Sequence, residues 1–161
     1  MEKKSQDMVS KEVMIQKVRA AIQDRAIWFA LLFDEFSTVL PEEKVVELCK
    51  KAIYKFGLLK ATKDPVPFSA KEWVDRHREK GSADIFDSDI EYSDLQAIQK
   101  MKHCALVEAW KEMSLSREKI ELFCDIVTEG DRGRANGHAD IDIELHETIA
   151  KGCDYCRLII F

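Results

Sequence analysis

The sequence predicts an α+β fold, in which N-terminal helices pack with a small antiparallel sheet and two further helices. Two patterns indicate this class. Over roughly the first 60 residues, apolar side chains recur every three or four positions, which is the period of an amphipathic helix. From residue 138 to the end the period becomes two and then gives way to a β-branched apolar run, which is typical of paired strands.

Length and hydrophobic content favour one domain over residues 1–161, with a helical part at 1–60 and an α+β part at 94–161. The chain is 46% hydrophobic, and its net charge of -5 comes from mixed signs that leave no basic face for nucleic acid. The first eleven residues lack the apolar core of a secretion signal. The longest apolar run, 26–33, is far shorter than the roughly 20 residues that span a bilayer. We therefore expect a cytoplasmic protein without nucleic-acid or membrane partners.

Two helices are predicted at the N-terminal end. Residues 8–39 carry a broad apolar stripe at helical spacing, so they are expected to form one long helix. Pro41 is suited to the start of a second helix with two glutamates in its first turn, and Gly57 is a natural stop. We expect these two helices to pack as an antiparallel pair.

The middle of the chain alternates loops with short elements. Two prolines make residues 61–67 a loop, and Ser69 is expected to cap a surface helix over 70–80 that Gly81 ends. Residues 84–93 are acidic and interrupted, which indicates a loop or a short edge strand. Residues 94–103 fit either period, and we interpret them as a strand because the C-terminal pair of strands needs a third partner.

The last part is predicted to hold two helices and two strands. A helix is expected over 105–113, and Ser116 is expected to cap another that runs toward Gly133. Strands over 141–150 and 155–161 should pair antiparallel around a turn at Gly152, which is free to take positive φ. Their buried side chains are predicted to be Ile141, Ile143, Leu158 and Ile160.

Cys104 is the first candidate for chemistry, because it lies where the predicted strand gives way to a helix. A thiol at a helix N-terminus has its pKa lowered by the helix dipole and by unpaired amides. The alternative is a cysteine that simply packs in the core.

A helix face offers the second group of candidates. Cys124, Thr128 and Asp131 are spaced four and three apart, so they share one face. Asp131 suits a general base or a water-orienting group, and Arg132 suits a carboxylate anchor. The alternative is a charged helix end in which Arg132 pairs with Glu129 or Asp131 at the surface. Nearby glycines at 130 and 133 indicate either a close backbone approach or the end of the helix.

The remaining cysteines and histidines give weaker signals. The five cysteines are an odd number in a chain without an export signal. Because thiols stay reduced in such a compartment, all five are expected to be free. Cys153 and Cys156 have the spacing of a redox or zinc pair, but such positions lie on opposite faces of a strand and could pair only across a turn. His138 and His146 could bind a metal with Asp140 or Asp142, although we favour a solvated strand face. No phosphate cradle, nucleophile elbow or dinucleotide fingerprint is present, so no cofactor or metal is expected.

The C-terminal half carries a resemblance to a known family. Glu147-Thr148-Ile149-Ala150-x-Gly152-x-x-x-Cys156-Arg157 follows a helix with Cys124-Asp125 and Glu129-Gly130-Asp131-Arg132. This pattern resembles the L-2-amino-thiazoline-4-carboxylic acid hydrolase family. The similarity runs from about residue 103 to the end. In the N-terminal half it covers the layout and Tyr54-x-x-Gly57.

The resemblance implies a strand that leads into Cys104 and a site at Cys104. It implies hydrolysis of a small cyclic C=N compound, whose namesake reaction opens L-2-amino-thiazoline-4-carboxylate to N-carbamoyl-L-cysteine. Attack on the amidine-like carbon needs a base for water or a thiolate, together with an anchor for the carboxylate. The candidates are Cys104, Cys124 and Asp131 for catalysis, and for substrate binding Arg132, Thr148, Gly152, Cys156 and Trp110.

Two other functions remain open on the same scaffold. One is a non-catalytic ligand-binding or sensory domain whose pocket is walled by cysteines, Trp110 and Thr148. The other is an interaction protein that forms a homodimer through the aromatic residues Trp28, Phe29, Phe33 and Phe36.

Overall fold

The computed structural model describes residues 9–93 and 95–161, and this part of the chain confirms the α+β prediction. It contains six α-helices and a four-stranded antiparallel sheet. Residues 1–8 and Asp94, which the predicted first helix and the ambiguous segment included, lie outside the described residues. The elements are α1 (Lys11–Ser37), α2 (Glu42–Ala61), α3 (Ala70–Glu79), α4 (Ser82–Ile85), β1 (Ser88–Tyr92), β2 (Ala97–Met101), α5 (Ala105–Glu112), α6 (Arg117–Asn136), β3 (Ile143–Leu145), a 3-10 turn (Ile149–Lys151) and β4 (Cys156–Ile160).

The two N-terminal helices do not form the predicted antiparallel pair. Instead α1 packs mainly along α5 and α2 packs mainly along α6. Aromatic side chains also join α1 to α6, since the rings of Phe29 and Phe33 each lie 5.0 Å from that of Phe123. Apolar periodicity predicted the helices but not their buried faces, since Trp28, Leu32 and Phe36 belong to the apolar stripe of α1 and yet are exposed.

Glycine explains how closely α2 and α6 approach each other. The predicted stop of α2 at Gly57 is wrong, because the helix continues to Ala61. A Cβ at Gly57 would lie 2.1 Å from the Gly130 carbonyl oxygen, and one at Gly133 would lie 2.1 Å from the Tyr54 carbonyl oxygen. These glycines therefore let the two backbones touch, and α6 runs past both of its own glycines to Asn136.

Helix α3 begins as predicted but is more buried than predicted. Ser69 and Glu72 form a reciprocal capping box at its start. Trp73 and Val74 are fully buried against the sheet, so only the opposite side of this helix faces solvent. The following acidic segment contains the short helix α4 and then β1, which is the edge strand that the sequence allowed.

The sheet has the strand order β1-β2-β4-β3, and every pair is antiparallel. The ambiguous segment forms β2, as we interpreted it, and its Met101 lies opposite Cys156 of β4. Gly152 adopts φ 82° in the turn between the last two strands, as predicted.

The strand predicted over residues 141–150 is shorter than expected. β3 covers only Ile143–Leu145, although backbone hydrogen bonds to β4 and its flanks extend from Asp142 to Glu147. Thr148 then caps the 3-10 turn with its hydroxyl, so the assignment of residues 149–150 to a strand is wrong. Ile143 is half-buried, whereas the other three predicted strand residues are buried.

Two hydrophobic clusters stabilise the fold, and α6 contributes to both. The first lies among α1, α2, α5 and α6 and includes Phe33, Trp110, Phe123 and Ile126. The second lies between α3 and the sheet and includes Trp73, Val74, Ala135, Leu158 and Ile160.

Candidate functional site

Three cysteines from different elements lie near one another at one end of the sheet. Cys104 is the N-cap of α5, Cys124 lies on α6 and Cys156 begins β4. Their thiols are close enough that a charge on Cys156 or Cys104 acts on the pKa of Cys124. The sheet register explains this placement. Met101 pairs with Cys156, and the chain that leaves β2 reaches Cys104 three residues later. We call these residues the three-thiol cluster.

Burial governs the protonation of this cluster. Burial raises the pKa of Cys104, and the amides of Val107 and Leu106 oppose that change without overcoming it. The predicted lowering of this pKa by the helix terminus is therefore wrong. Burial, with the charges of Cys156 and Cys104, raises the pKa of Cys124 to about 12, and burial raises that of Cys156 to about 11. At neutral pH all three side chains are neutral thiols.

The 3-10 turn forms one wall of the cluster. The Ile149 amide donates a hydrogen bond to Cys156 Sγ at 3.2 Å. Thr148 is buried, and its hydroxyl accepts from the Lys151 amide at 3.3 Å. Gly152 ends the turn in the left-handed conformation. Thr148 and Gly152 thus shape the turn beside Cys156. The Thr148 hydroxyl accepts one hydrogen bond in this turn and can still donate its own proton to a second partner.

Asp131 is on the predicted helix face but apart from the thiols. Thr128 lies between Cys124 and Asp131 on this face of α6, and its hydroxyl donates a hydrogen bond to the Cys124 carbonyl at 2.7 Å. Asp131 is half-buried, and it lies seven residues from Cys124, about 10 Å along the helix axis. Burial raises its pKa, although Lys60 and Arg134 act to lower it. Asp131 is therefore a carboxyl two helical turns from the cluster, among the cationic side chains of Lys60, Arg132 and Arg134.

Arg132 is also outside the cluster. Its exposed guanidinium pairs with Glu129 and lies 3.7 Å from Asp125, which matches the surface alternative in the sequence interpretation. Such exposed pairs contribute little to stability.

Trp110 lies in the first hydrophobic cluster rather than at a pocket wall. Its indole N–H donates to the Ala26 carbonyl at 3.0 Å. Its ring packs against Phe29 and Phe123 and is almost entirely buried.

His103, which the sequence interpretation missed, immediately precedes Cys104. Its Nδ1 lies 3.4 Å from a Glu108 carboxylate oxygen, so the pair bridges the N-cap of α5. Burial lowers the pKa of His103, and its buried Nε2 has no hydrogen-bond partner in the described residues. A neutral imidazole with an unused ring nitrogen can accept a proton. A single histidine carries no periodic signal, so only its position beside Cys104 pointed to it.

A second missed group is a buried ion-pair cluster around Asp64. Arg134 grips this carboxylate with two hydrogen bonds of 2.7 and 2.8 Å, while Arg76 and His138 each lie 3.3 Å away. Burial acts to raise the pKa of Asp64, but Arg134 and His138 outweigh it and hold that pKa below its ordinary value. The Arg134 guanidinium also lies 4.2 Å from the Trp73 ring centroid. The cluster fixes the loop after α2 to α6.

The remaining sequence predictions concern the cysteines, a metal site and a membrane span. All five cysteines are free. His146 pairs with Glu144 at 3.0 Å, and no group of three metal-ligating side chains occurs among the residues described. Two surface cavities, of about 470 and 560 Å³, lie beside the start of α1 and beside Trp28, away from the thiols. Within the described ranges, no helix has the length and apolar character needed to cross a bilayer.

Comparisons with known proteins identify a family for this chain and a solved structure with a similar fold. A family model described as L-2-amino-thiazoline-4-carboxylic acid hydrolase matches residues 19–160. No curated protein sequence is measurably similar to this chain. The fold is similar to the crystal structure of a trafficking protein particle complex subunit 3 from Naegleria fowleri covalently bound to palmitic acid. That similarity has a TM-score of 0.57 at 11% identity and covers 88% of this chain and 95% of the other.

Proposed function

Since the chain belongs to the L-2-amino-thiazoline-4-carboxylic acid hydrolase family, we propose that it hydrolyses a small cyclic C=N compound at its three-thiol cluster. The substrate we propose is L-2-amino-thiazoline-4-carboxylate or a close analogue, and the product is N-carbamoyl-L-cysteine. The observation that carries the site is the convergence of Cys104, Cys124 and Cys156, which come from three different elements.

The reaction requires addition to the carbon between the ring nitrogen and the ring sulfur. In the proposed route, Cys104 Sγ adds to that carbon and its thiol proton goes to the departing ring sulfur as the C–S bond breaks. Water then adds to the same carbon, the bond to Cys104 breaks, and the sulfur of Cys104 regains a proton. The sum is one water consumed, one ring C–S bond broken, and one free thiol and one carbamoyl group formed.

Cys104 rests as a neutral thiol and must lose its proton as it adds, because the attacking species is the thiolate. The departing ring sulfur needs a proton, and a base that takes the proton of Cys104 can deliver it there. Burial keeps Cys104 protonated until the substrate arrives. Cys124 and Cys156 are protonated as well, so they add no negative charge that would repel a carboxylate substrate.

His103 is the group we assign to carry the proton between the two sulfur atoms. It is the chain neighbour of Cys104, it is neutral, and its Nε2 has no partner among the described residues. Glu108 orients the ring through Nδ1. His103→Gln should therefore lower kcat more than it raises KM and should remove the acidic limb of the pH profile.

A cytoplasmic location is part of this proposal. Five free cysteines suit a reducing compartment, and a free-thiol product is stable there.

The test is a ring-opening assay on the purified full chain, with release of the product thiol from excess substrate as the readout. Cys104→Ser should abolish turnover, because serine is a far weaker nucleophile and proton donor than cysteine in this step. Cys153→Ser is the matched control, since Cys153 is an exposed thiol on the turn before β4 and should keep full activity. Wild-type protein that opens no ring, or a Cys104→Ser variant with full turnover, would reject the proposal.

A second candidate is a ligand-binding domain without catalysis, which the fold similarity favours. The Naegleria fowleri protein carries covalently bound palmitic acid on a related fold. An acyl adduct on this chain would need a nucleophile, and half-buried Cys104 is the candidate. Intact-mass measurement of freshly isolated protein would reveal such an adduct, and its loss in Cys104→Ser together with absent ring opening would favour this function.

A further inference from the structure

The outward face of α1 is apolar along its C-terminal half. Trp28 is 71% exposed, which is unusual for the largest side chain. The same outward side carries Leu31, Leu32 and Phe36, and Val39 and Leu40 follow directly after the helix. We call this surface the α1 face. The aromatic set predicted from the sequence is therefore divided, since Phe29 and Phe33 point into the first hydrophobic cluster.

The size of the α1 face approaches that of one side of a protein–protein interface. From their exposed fractions, its six side chains present on the order of 500 Å² of apolar surface. This area lies within the range of the largest apolar patch on a typical monomer, about 300–600 Å². Together with the charged residues Asp24 and Arg25 at its margin, the α1 face comes near the roughly 800 Å² of surface that each partner contributes to a stable complex.

The charged margin fits a second copy of the same surface. Asp24 and Arg25 are adjacent, exposed and of opposite sign, and both line the 560 Å³ cavity beside Trp28. Neither belongs to an ion pair with another residue in the described part of the chain. In a two-fold interface each surface meets its own copy, so residues near the axis contact each other reciprocally. An axis that passes between Asp24 and Arg25, one helical turn from Trp28, brings Asp24 of one protomer to Arg25 of the other.

We propose that this chain forms a two-fold homodimer through the α1 face, with the axis one helical turn from Trp28. The cavity next to Trp28 receives a bulky side chain of the second protomer, and the leucines and Phe36 form the apolar centre. The three-thiol cluster lies on α5, α6 and β4 rather than on this surface, so the dimer is independent of the proposed reaction.

Sedimentation velocity over a concentration series tests the proposal on the full chain. Wild-type protein should be dimeric at low micromolar concentration, and Trp28→Glu should raise the dissociation constant at least about 100-fold, the range of a central aromatic anchor. Leu95→Glu is the matched control, because Leu95 is 84% exposed in the connection between β1 and β2. It should leave the dimer unchanged.

Charge reversal tests the position of the axis. Arg25→Asp and Asp24→Arg should each weaken self-association about tenfold by placing like charges in contact. A mixture of the two variants should recover wild-type association, because each then supplies the charge that the other lacks. Recovery in the mixture is not expected if these residues lie outside the interface.

Three outcomes would overturn the proposal. The first is a wild-type chain that stays monomeric throughout the series. The second is a dimer that Trp28→Glu leaves intact. The third is a monomer that binds neutral phospholipid vesicles through Trp28, which would make a lipid surface the occupant of the α1 face. If Trp28→Glu fails to fold, the charge-reversal mixture decides.

Discussion

Replacement of Gly133 by alanine tests whether the contact between α2 and α6 sets the distance between these helices. In an ordinary helix interior this change stabilises by about 0.5–1 kcal/mol, because glycine loses more conformational entropy than alanine on folding. Here the new Cβ would lie 2.1 Å from the Tyr54 carbonyl oxygen and 2.9 Å from its carbonyl carbon. Relief requires a shift of more than about 1 Å between two backbones, beyond the usual overpacking cost of about 1–3 kcal/mol. We expect a net loss of about 2–4 kcal/mol.

Gly130→Ala provides a matched control on the same buried helix. A Cβ there would meet Ile53 Cγ2 at 3.4 Å, which is an ordinary contact with a side chain. Its expected effect is a gain of up to about 1 kcal/mol. Urea denaturation at equilibrium measures both changes if the m-value stays constant. Equal stability of the Gly133→Ala and Gly130→Ala proteins would refute the close-contact explanation.

Three further outcomes are expected. Burial raises the pKa of Cys124 to about 12, so the folded state keeps a proton that the unfolded state releases near pH 9. Stability should fall as pH rises from 9 to 12, by up to about 4 kcal/mol, and Cys124→Ala should flatten this decline in urea titrations. Arg134→Met should cost about 2–4 kcal/mol by leaving the Asp64 charge buried with weaker partners. In wild type the lowered pKa of Asp64 adds stability above pH 4 that is lost as pH falls, and this acid dependence should reverse in the variant, as chemical denaturation at several pH values would show. Trp110→Phe should cost about 1–3 kcal/mol, since it removes the buried hydrogen bond to the Ala26 carbonyl and part of a buried ring, and an unchanged melting temperature would contradict this.

Local signals in the sequence predicted the elements well. Apolar periods of 3.6 and 2, the caps at Ser69 and Ser116 and the turn at Gly152 gave the helices, their starts and the C-terminal strand pair. The boundaries of β3 were missed because Thr148, a residue typical of strands, uses its hydroxyl to cap a turn instead. Alternation of side chains carries no information about that choice.

Features that depend on distant residues were not predictable in the same way. Gly57 looked like a helix stop, because its role depends on the α6 backbone more than 70 positions away. Asp64 and Arg134 are 70 residues apart and were interpreted as parts of a loop and a charged helix end. The helix terminus acts on Cys104 as expected, but the surrounding fold determines its burial, and burial dominates its pKa. A single sequence does not reveal these tertiary effects.

The double role of α6 has a consequence for the cooperativity of unfolding. Its first turns lie in the cluster that holds Phe123, and its last turns reach the cluster that holds Ala135. Opening of this helix would therefore expose both clusters at once, so no partly unfolded state can keep one cluster without it. Amide hydrogens in the middle of α6 should exchange with solvent deuterium only through global unfolding. Those of β1, an edge strand with one neighbour, should exchange through much smaller openings.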